Sequence, residues 1–475
     1  MIFLNFFKIF LILIIIVLQT NIANAKELLT LKKSINLALK KNINLQKSNY
    51  DTLLNEEKIN QVSAQYEPSL SSQLSKRQAS LFGQNITREI FNVQLSKKLK
   101  TTGANLTIDW QNKKDDEFVL FNPLAPQFDA NLGLTYSQPL LNNFLGKNDL
   151  KSLKIANISN EIIQIQLAFQ KSSIINNIEK AYLEYDFAKR NLNTQKTSLA
   201  RSEKLLKINK QKYRDGLIEE VDIKSTEAAI ILRQTSILIA EDTLNNAFEN
   251  LLSLLGLELE TDFTFETINF SNFKSSHTFS NAHEIFEKAI SNRNDLKIIS
   301  LTKEINTIKN KIKKNEKLPN LTAVFQASEL AYGTSWQNTY ESFVPVFYVG
   351  LNINLFPFNK RSKSLLKETE YMQKQTDLNY QDMKINIQKQ CKAIFRSLTT
   401  NTKYMKAAKT VLNIQTKKLK LEEIKYNQGR SSLQWLLNFE DDLTNAEIEY
   451  YKSLKEYYKT LSNLKFVSGE KYESN

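Results

Sequence analysis

The chain has one cysteine, two histidines, ten glycines and seven prolines in 475 residues. A single thiol, Cys391, excludes an internal disulfide and a thiolate metal cluster. His277 and His283 stand in a polar connector, and two histidines fall short of the three or four converging ligands a metal site needs. Scarce glycine and proline remove the punctuation of a loop-rich fold and favour long uninterrupted helices. No nucleophile elbow, phosphate loop or metalloprotease motif occurs, and acid pairs such as Glu219-Glu220 and Asp441-Asp442 are ordinary on helix faces. The sequence therefore predicts neither enzyme chemistry nor a cofactor. A basic stripe is also missing. Net charge is +14, but Lys and Arg interleave with Glu and Asp, so no nucleic-acid partner is expected.

One long hydrophobic run is present, at the N-terminus. MIFLNFFKIFLILIIIVLQTNIANA carries Lys8, an apolar stretch from Ile9 to Leu18, and Ala23-Asn24-Ala25. This reads as a secretory signal over residues 1–25, with the mature chain starting at Lys26. The apolar core is short for a membrane anchor, and no cysteine follows it to take a lipid.

The rest of the chain is written twice. At an offset of 213 residues Tyr213 falls on Tyr426, Gly216 on Gly429 and Gly256 on Gly469. Ile178, Tyr185, Leu192, Leu199, Leu206 and Tyr213, spaced by seven, fall on Cys391, Leu398, Met405, Leu412, Leu419 and Tyr426. A second offset places Ala38 on Ala289 and Pro68-Ser-Leu70 on Pro319-Asn-Leu321, while Pro139 matches Pro357 after one slipped residue. Residues 26–256 and 281–475 therefore read as tandem repeats around a 257–280 connector. Each has two short helices, a proline, strands (about 69–138 and 320–356), a very long helix, a glycine turn and a return helix. The long helices cover about 147–255 and 361–467. Leu150 to Tyr213 alone would span roughly 95 Å.

A sustained heptad means helices supercoiling on neighbours. The positions three further on are small or polar (Ala181, Ala188, Gln195, Ser202, Asn209), which predicts a narrow apolar stripe and a wetted face beside it. Cys391, on the stripe, is expected to be packed. The strand segments alternate: Leu106, Ile108 and Trp110 against Thr107, Asp109 and Gln111, and likewise Phe347 to Leu355. In an exported chain this fits an outer-membrane barrel, with Trp110 and Tyr136 suited to an aromatic girdle. Four to six strands cannot close a barrel, and open edges cannot face lipid, so several copies must share one.

The duplicated unit, SQPLL (Ser137–Leu141), the paired Tyr-x-x-Gly turns, and the endings LLSLLGL and LSNLKFVSG together resemble the TolC-like outer-membrane efflux family. The resemblance covers nearly all of the mature chain. It implies a mainly α fold with a β-barrel portion: a homotrimer whose shared barrel sits in outer-membrane lipid and whose helices continue as a periplasmic tunnel. It further implies a passive exit duct of an efflux or type I secretion system, fed by a periplasmic adaptor (membrane-fusion) protein and an inner-membrane RND or ABC transporter. On this resemblance Tyr213, Gly216, Leu217, Tyr426, Gly429 and Arg430 mark the adaptor-docking tips. Asp222, Trp435 and Asn438 would line the periplasmic aperture, and Pro68, Pro139, Pro319 and Pro357 mark the turns of the repeat.

Two features depart from the family pattern. Asp222 follows the first turn, but the matching second-repeat positions carry Trp435 and Asn438, with acids only at Glu440, Asp441 and Asp442. The aperture is thus acidic, with Arg430 pairing to acids, or apolar, with Trp435 as bulk; Trp435 alternatively packs on a heptad flank. Also, Pro68 to Pro139 is longer than Pro319 to Pro357, and the excess contains KTTGANLTIDW, a turn and a strand. That excess is either an added hairpin of the sheet or an external loop. A periplasmic adaptor or other coiled-coil scaffold would also account for signal and heptads, though not for doubled strand blocks.

Overall fold

A computed structural model describes residues 27–81, 83–116, 126–258, 263–268, 270, 279–355 and 359–470. The signal segment, His277, Pro357 and parts of the 257–280 connector lie outside the described residues. The chain divides into two compact units. One takes the described parts of Met1–Asn49, Leu167–Asn294 and Lys384–Asn475; the other takes Tyr50–Gln166 and Asp295–Met383.

The helices are α1 (Leu31–Lys41), α2 (Ile43–Ser63), α3 (Lys147–Arg214), α4 (Glu220–Leu255), α5 (Ala282–Asn292), α6 (Asn294–Glu316), the single turn α7 (Trp336–Thr339), α8 (Lys360–Asn427) and α9 (Leu433–Ser468). The strands are β1 (Glu27–Leu29), β2 (Ser69–Leu81), β3 (Gln84–Lys98), β4 (Asn105–Asp115), β5 (Phe128–Pro139), β6 (Phe263–Phe265), β7 (Asn320–Gly333) and β8 (Phe343–Asn354). Helices α3 and α8 each have 68 residues and α4 and α9 each have 36, the lengths the two offsets lead one to expect. No helix among the described residues is long and apolar enough to cross a membrane.

In the first unit, β1 and β6 form a short parallel pair. Sequence patterning missed both, because three residues are too few to alternate. Phe265 of β6 is fully buried against Tyr182, Tyr185, Leu251, Leu252 and Leu255, with ring centroids 5.1–5.7 Å from Tyr185 and Tyr182. The Tyr182 hydroxyl lies 2.9 Å from the Leu29 carbonyl and 2.8 Å from that of Glu266, so the connector is stitched to α3. Full burial of such side chains stabilises by about 1.5–3 kcal/mol each. Cys391 is buried as expected.

The heptad expectation needs correction here. Ala181, Ala188, Ser202 and Asn209 are buried, whereas Leu192, Leu199 and Leu206 are only half-buried and Tyr213 is 44% exposed. The small and polar line is therefore part of the seam, together with Ile178 and Tyr185, rather than a wetted face beside it. Short side chains let helix backbones approach, and the polar ones remain in the seam because each finds a partner: Ser202 bonds Glu440, and Asn209 bonds Thr226 and Tyr426.

In the second unit β2 to β5, β7 and β8 make one antiparallel sheet in that order, with β2 and β8 as its edges. Pro68 and Pro319 stand immediately before β2 and β7, and Pro139 ends β5, positions where a missing N–H costs little. The excess segment is a hairpin: β3 and β4 are hydrogen-bonded into the sheet between β2 and β5. Across five strands Leu95, Ile108, Leu134, Ala327 and Phe347 stand side by side on one face, and Ser96, Thr107, Thr135, Gln326 and Tyr348 on the other. The first face is largely apolar and exposed; Asn112 and Glu329 interrupt it, and Lys76, Glu89 and Lys114 gather towards one end. The second carries ion pairs, Arg88 to Asp115 at 2.7 Å and Lys113 to Asp115 at 3.1 Å. Trp110 stands mid-strand, edge-on to Phe91 at 5.6 Å, rather than near a strand end as a girdle residue would. Beyond β5 the chain turns into α3 through Asn143 and Leu145, both with positive φ. Asn143 holds that turn by accepting from the Asn148 backbone N–H at 2.9 Å and donating its own N–H to Asn315 at 2.9 Å.

Candidate functional site

The two glycine turns have the same backbone. Gly216 and Gly429 take φ of +70° and +73°. The Leu217 N–H donates to the Lys212 carbonyl at 2.8 Å, and the Arg430 N–H to the Lys425 carbonyl at 2.8 Å. Each is a left-handed cap that closes the last helical turn and sends the chain back. A Cβ at either glycine would meet nothing within 4 Å, so only backbone preference demands glycine there.

Their side chains differ. Tyr213 and Leu217 are exposed, at 44% and 71%, while Tyr426 is buried. The Tyr426 hydroxyl donates to Asn209 at 2.6 Å, Asn209 donates to the Thr226 hydroxyl at 2.9 Å, and Thr226 donates to the Asp222 carbonyl at 2.9 Å. Lys212 donates to the Tyr426 carbonyl at 2.8 Å, its amine 3.9 Å from that ring's centroid. The end of α8 is thus tied to both α3 and α4. Burial and the nearby Asp222 charge push the Tyr426 phenol up to about 12, so it stays a donor, and burial lowers the Lys212 amine.

A second polar cluster lies further along α3, α4 and α9. The Arg233 side chain, 8% exposed, donates to Ser198 at 2.9 Å, to Glu440 at 3.2 Å and to Asp441 at 2.9 Å. Ser202 also donates to Glu440, and Arg201 to Thr444 at 3.0 Å. Burial pushes the Glu440 carboxyl above its ordinary value, against the pull of Arg233, Ser202 and Arg201.

Sequence reasoning missed Lys212, Asn209, Thr226 and Arg233. For Arg233 a signal existed: it interrupts the apolar run IILRQTSILIA, and its partner at the repeat offset is Ala446, a small buried residue. The acids of the second hairpin are committed. Arg233 holds Glu440 and Asp441, and Lys418 holds Asp442 at 3.1 Å. Arg430 is exposed and reaches Gln428 at 3.5 Å. Trp435 is 58% exposed within one copy, with its ring centroid 5.9 Å from that of Phe439. Asn438 is exposed and accepts from Gln434 at 2.9 Å. Asp222 is half-buried.

Residues 34–257 match the outer membrane efflux protein family. Solved structures extend the likeness of fold over the chain. The CusC channel aligns with a TM-score of 0.72 at 14% identity, covering 92% of each chain. The Campylobacter jejuni CmeC outer membrane channel aligns at 0.71 and 14% identity, covering 94% of this chain and 86% of its own. The Neisseria gonorrhoeae MtrE outer membrane channel, in its open state, aligns at 0.68 and 14%, covering 92% and 88%. No curated protein matches the chain. The chain therefore has the fold of these outer membrane channels.

Proposed function

We propose that this protein is the outer-membrane exit duct of a tripartite efflux or type I secretion system. It conducts substrate passively from a periplasmic adaptor and an inner-membrane RND or ABC transporter to the exterior. Residues 1–25 direct its export, and the two repeats build one homotrimer subunit. The observation that carries the reading is the six-stranded sheet with one apolar, exposed face and one polar face, the signature of a wall between lipid and water. Its free edges, β2 and β8, run in opposite directions, so the β8 of one copy can pair antiparallel with the β2 of the next. Exposed Ile231, Leu232, Leu238 and Ile239 on α4, and Val411, Ile414 and Leu421 on α8, supply further surface for copies to cover.

The tips at Gly216 and Gly429 dock the adaptor in this reading, and Asp222, Trp435 and Asn438 face the aperture. The test is fractionation of cells expressing the protein, followed by mass photometry in detergent and recording in planar bilayers. A heat-modifiable trimer in the outer membrane that conducts is expected. A monomer, or a protein released with the soluble periplasm, refutes the duct and returns the scaffold alternative.

A further inference from the structure

The first repeat contributes two strands more than the second, and they are built in rather than appended. In β3 the apolar residues Phe91, Val93 and Leu95 stand beside Asn112, Trp110 and Ile108 of β4, which in turn stand beside Ala130, Leu132 and Leu134 of β5. On the other face Asn92, Gln94 and Ser96 stand beside Gln111, Asp109 and Thr107, with the Ser96 and Thr107 hydroxyls 3.3 Å apart. A slip of one residue would reverse both faces. None has occurred, so the hairpin continues the apolar and polar faces of β5, β7 and β8 across the sheet.

The hairpin's turn is also locked. Gly103, at φ +67°, lies so close to the β5–α3 junction that a Cβ would come 2.4 Å from the Gly146 nitrogen. Gln138 donates to the Thr102 carbonyl at 3.0 Å, Lys98 pairs with Asp149 at 2.6 Å, and Ala104 is fully buried. An external loop would need none of this.

We propose that the β3–β4 hairpin is transmembrane wall, giving each copy six strands and widening the pore of the assembled duct. The inference rests on the exit-duct reading. At about 4.8 Å between strands and about 40° of tilt, three copies would close about eighteen strands into a backbone cylinder roughly 36 Å across. Without the hairpin the same arithmetic gives about twelve strands and roughly 24 Å. A lumen of the wider class holds an aqueous channel. Its lining here is mainly Ser, Thr, Asn and Gln, with the charges of Arg88, Asp115, Lys113 and Asp129 paired to one another and Asp109 accepting from Asn131 at 3.3 Å. The membrane segment therefore does not sort hydrated small solutes by size, and selection falls to the helical tips.

Single-cysteine scanning in isolated outer membranes tests this with a charged, membrane-impermeant maleimide; Cys391 is buried and gives a silent background. Gln94→Cys, Ser96→Cys and Thr107→Cys are expected to label, and Val93→Cys, Leu95→Cys and Ile108→Cys to stay protected. Thr135→Cys and Gln326→Cys, against Leu134→Cys and Phe325→Cys, report the same alternation in β5 and β7. Alternation in β5 and β7 with uniform labelling of β3 and β4 overturns the wall hairpin and leaves the duct standing. Uniform labelling in all four strands refutes the duct and the wall together.

Discussion

Arg233→Met removes the cation that is ion-paired with a carboxylate buried between helices. Glu440 is 4% exposed at its side chain, and burial already holds its carboxyl above the ordinary value with Arg233 in place. Breaking one side of a buried pair costs about 3–5 kcal/mol, because the remaining charge is stranded in a poorly polarisable site. Asp441 adds little, since its side chain is 63% exposed and water replaces the lost partner. The pH dependence follows from the raised folded value. The contribution of Glu440 to stability is full below its unfolded pKa of about 4.3 and is lost as pH rises through the higher folded value. The variant raises that folded value further, so its penalty is largest at neutral and alkaline pH. At about pH 4 the protonated carboxyl needs no counter-charge, and the penalty should fall to about 1–2 kcal/mol, the worth of the lost Arg233 hydrogen bonds. Urea unfolding of the purified protein in detergent, followed by circular dichroism at pH 4 and pH 8, measures it. Arg233→Met/Glu440→Gln should recover most of the loss at pH 8. An equal cost at both pH values, or no recovery in the double variant, refutes the electrostatic account and leaves only lost packing.

Gly216→Val with Gly429→Val should cost about 1 kcal/mol at each turn and reduce adaptor cross-linking while leaving the oligomer intact; unchanged cross-linking and efflux would count against tip docking. Tyr426→Phe strands the buried Asn209 carbonyl oxygen, for an expected loss of about 1–3 kcal/mol, read by the same urea titration and absent for the exposed Tyr213→Phe. Asp222→Ala should weaken cation selectivity in planar bilayers, and Asp222→Ala with Arg430→Ala should raise single-channel conductance. Wild-type behaviour in both, together with an open channel in Trp435→Ala, would make the aperture apolar.

Long elements were legible because their signals are repeated many times. Helices α3 and α8 each carry six heptad positions in register, so their ends could be placed within a residue or two. The alternation of Leu106, Ile108 and Trp110 likewise gave β4 its faces. What stayed hidden depends on partners distant in sequence. Strand β1 is a strand only because β6, more than 230 residues away, lies beside it. Whether Ser202 or Leu199 faces the seam turns on which neighbouring helix arrives, and a single helix's periodicity does not say. The tip glycines were visible as motifs, whereas Lys212 and Arg233 act by reaching another hairpin. A lone cation in a helix names no addressee.

The strand order has a consequence for how the chain is made. Strands β2 to β5 are neighbours in sequence and pair through short connections, but β5 must pair with β7, where Pro139 meets Thr322. About 180 residues separate them, roughly 10–40 s of synthesis at 5–20 residues per second. Through that interval β5 presents an unpaired edge, the kind that templates aggregation, and the non-local closure is slow on topological grounds. The β3–β4 hairpin adds apolar surface to the waiting sheet. An escort of the nascent chain would therefore have to shield β5 until the second repeat arrives.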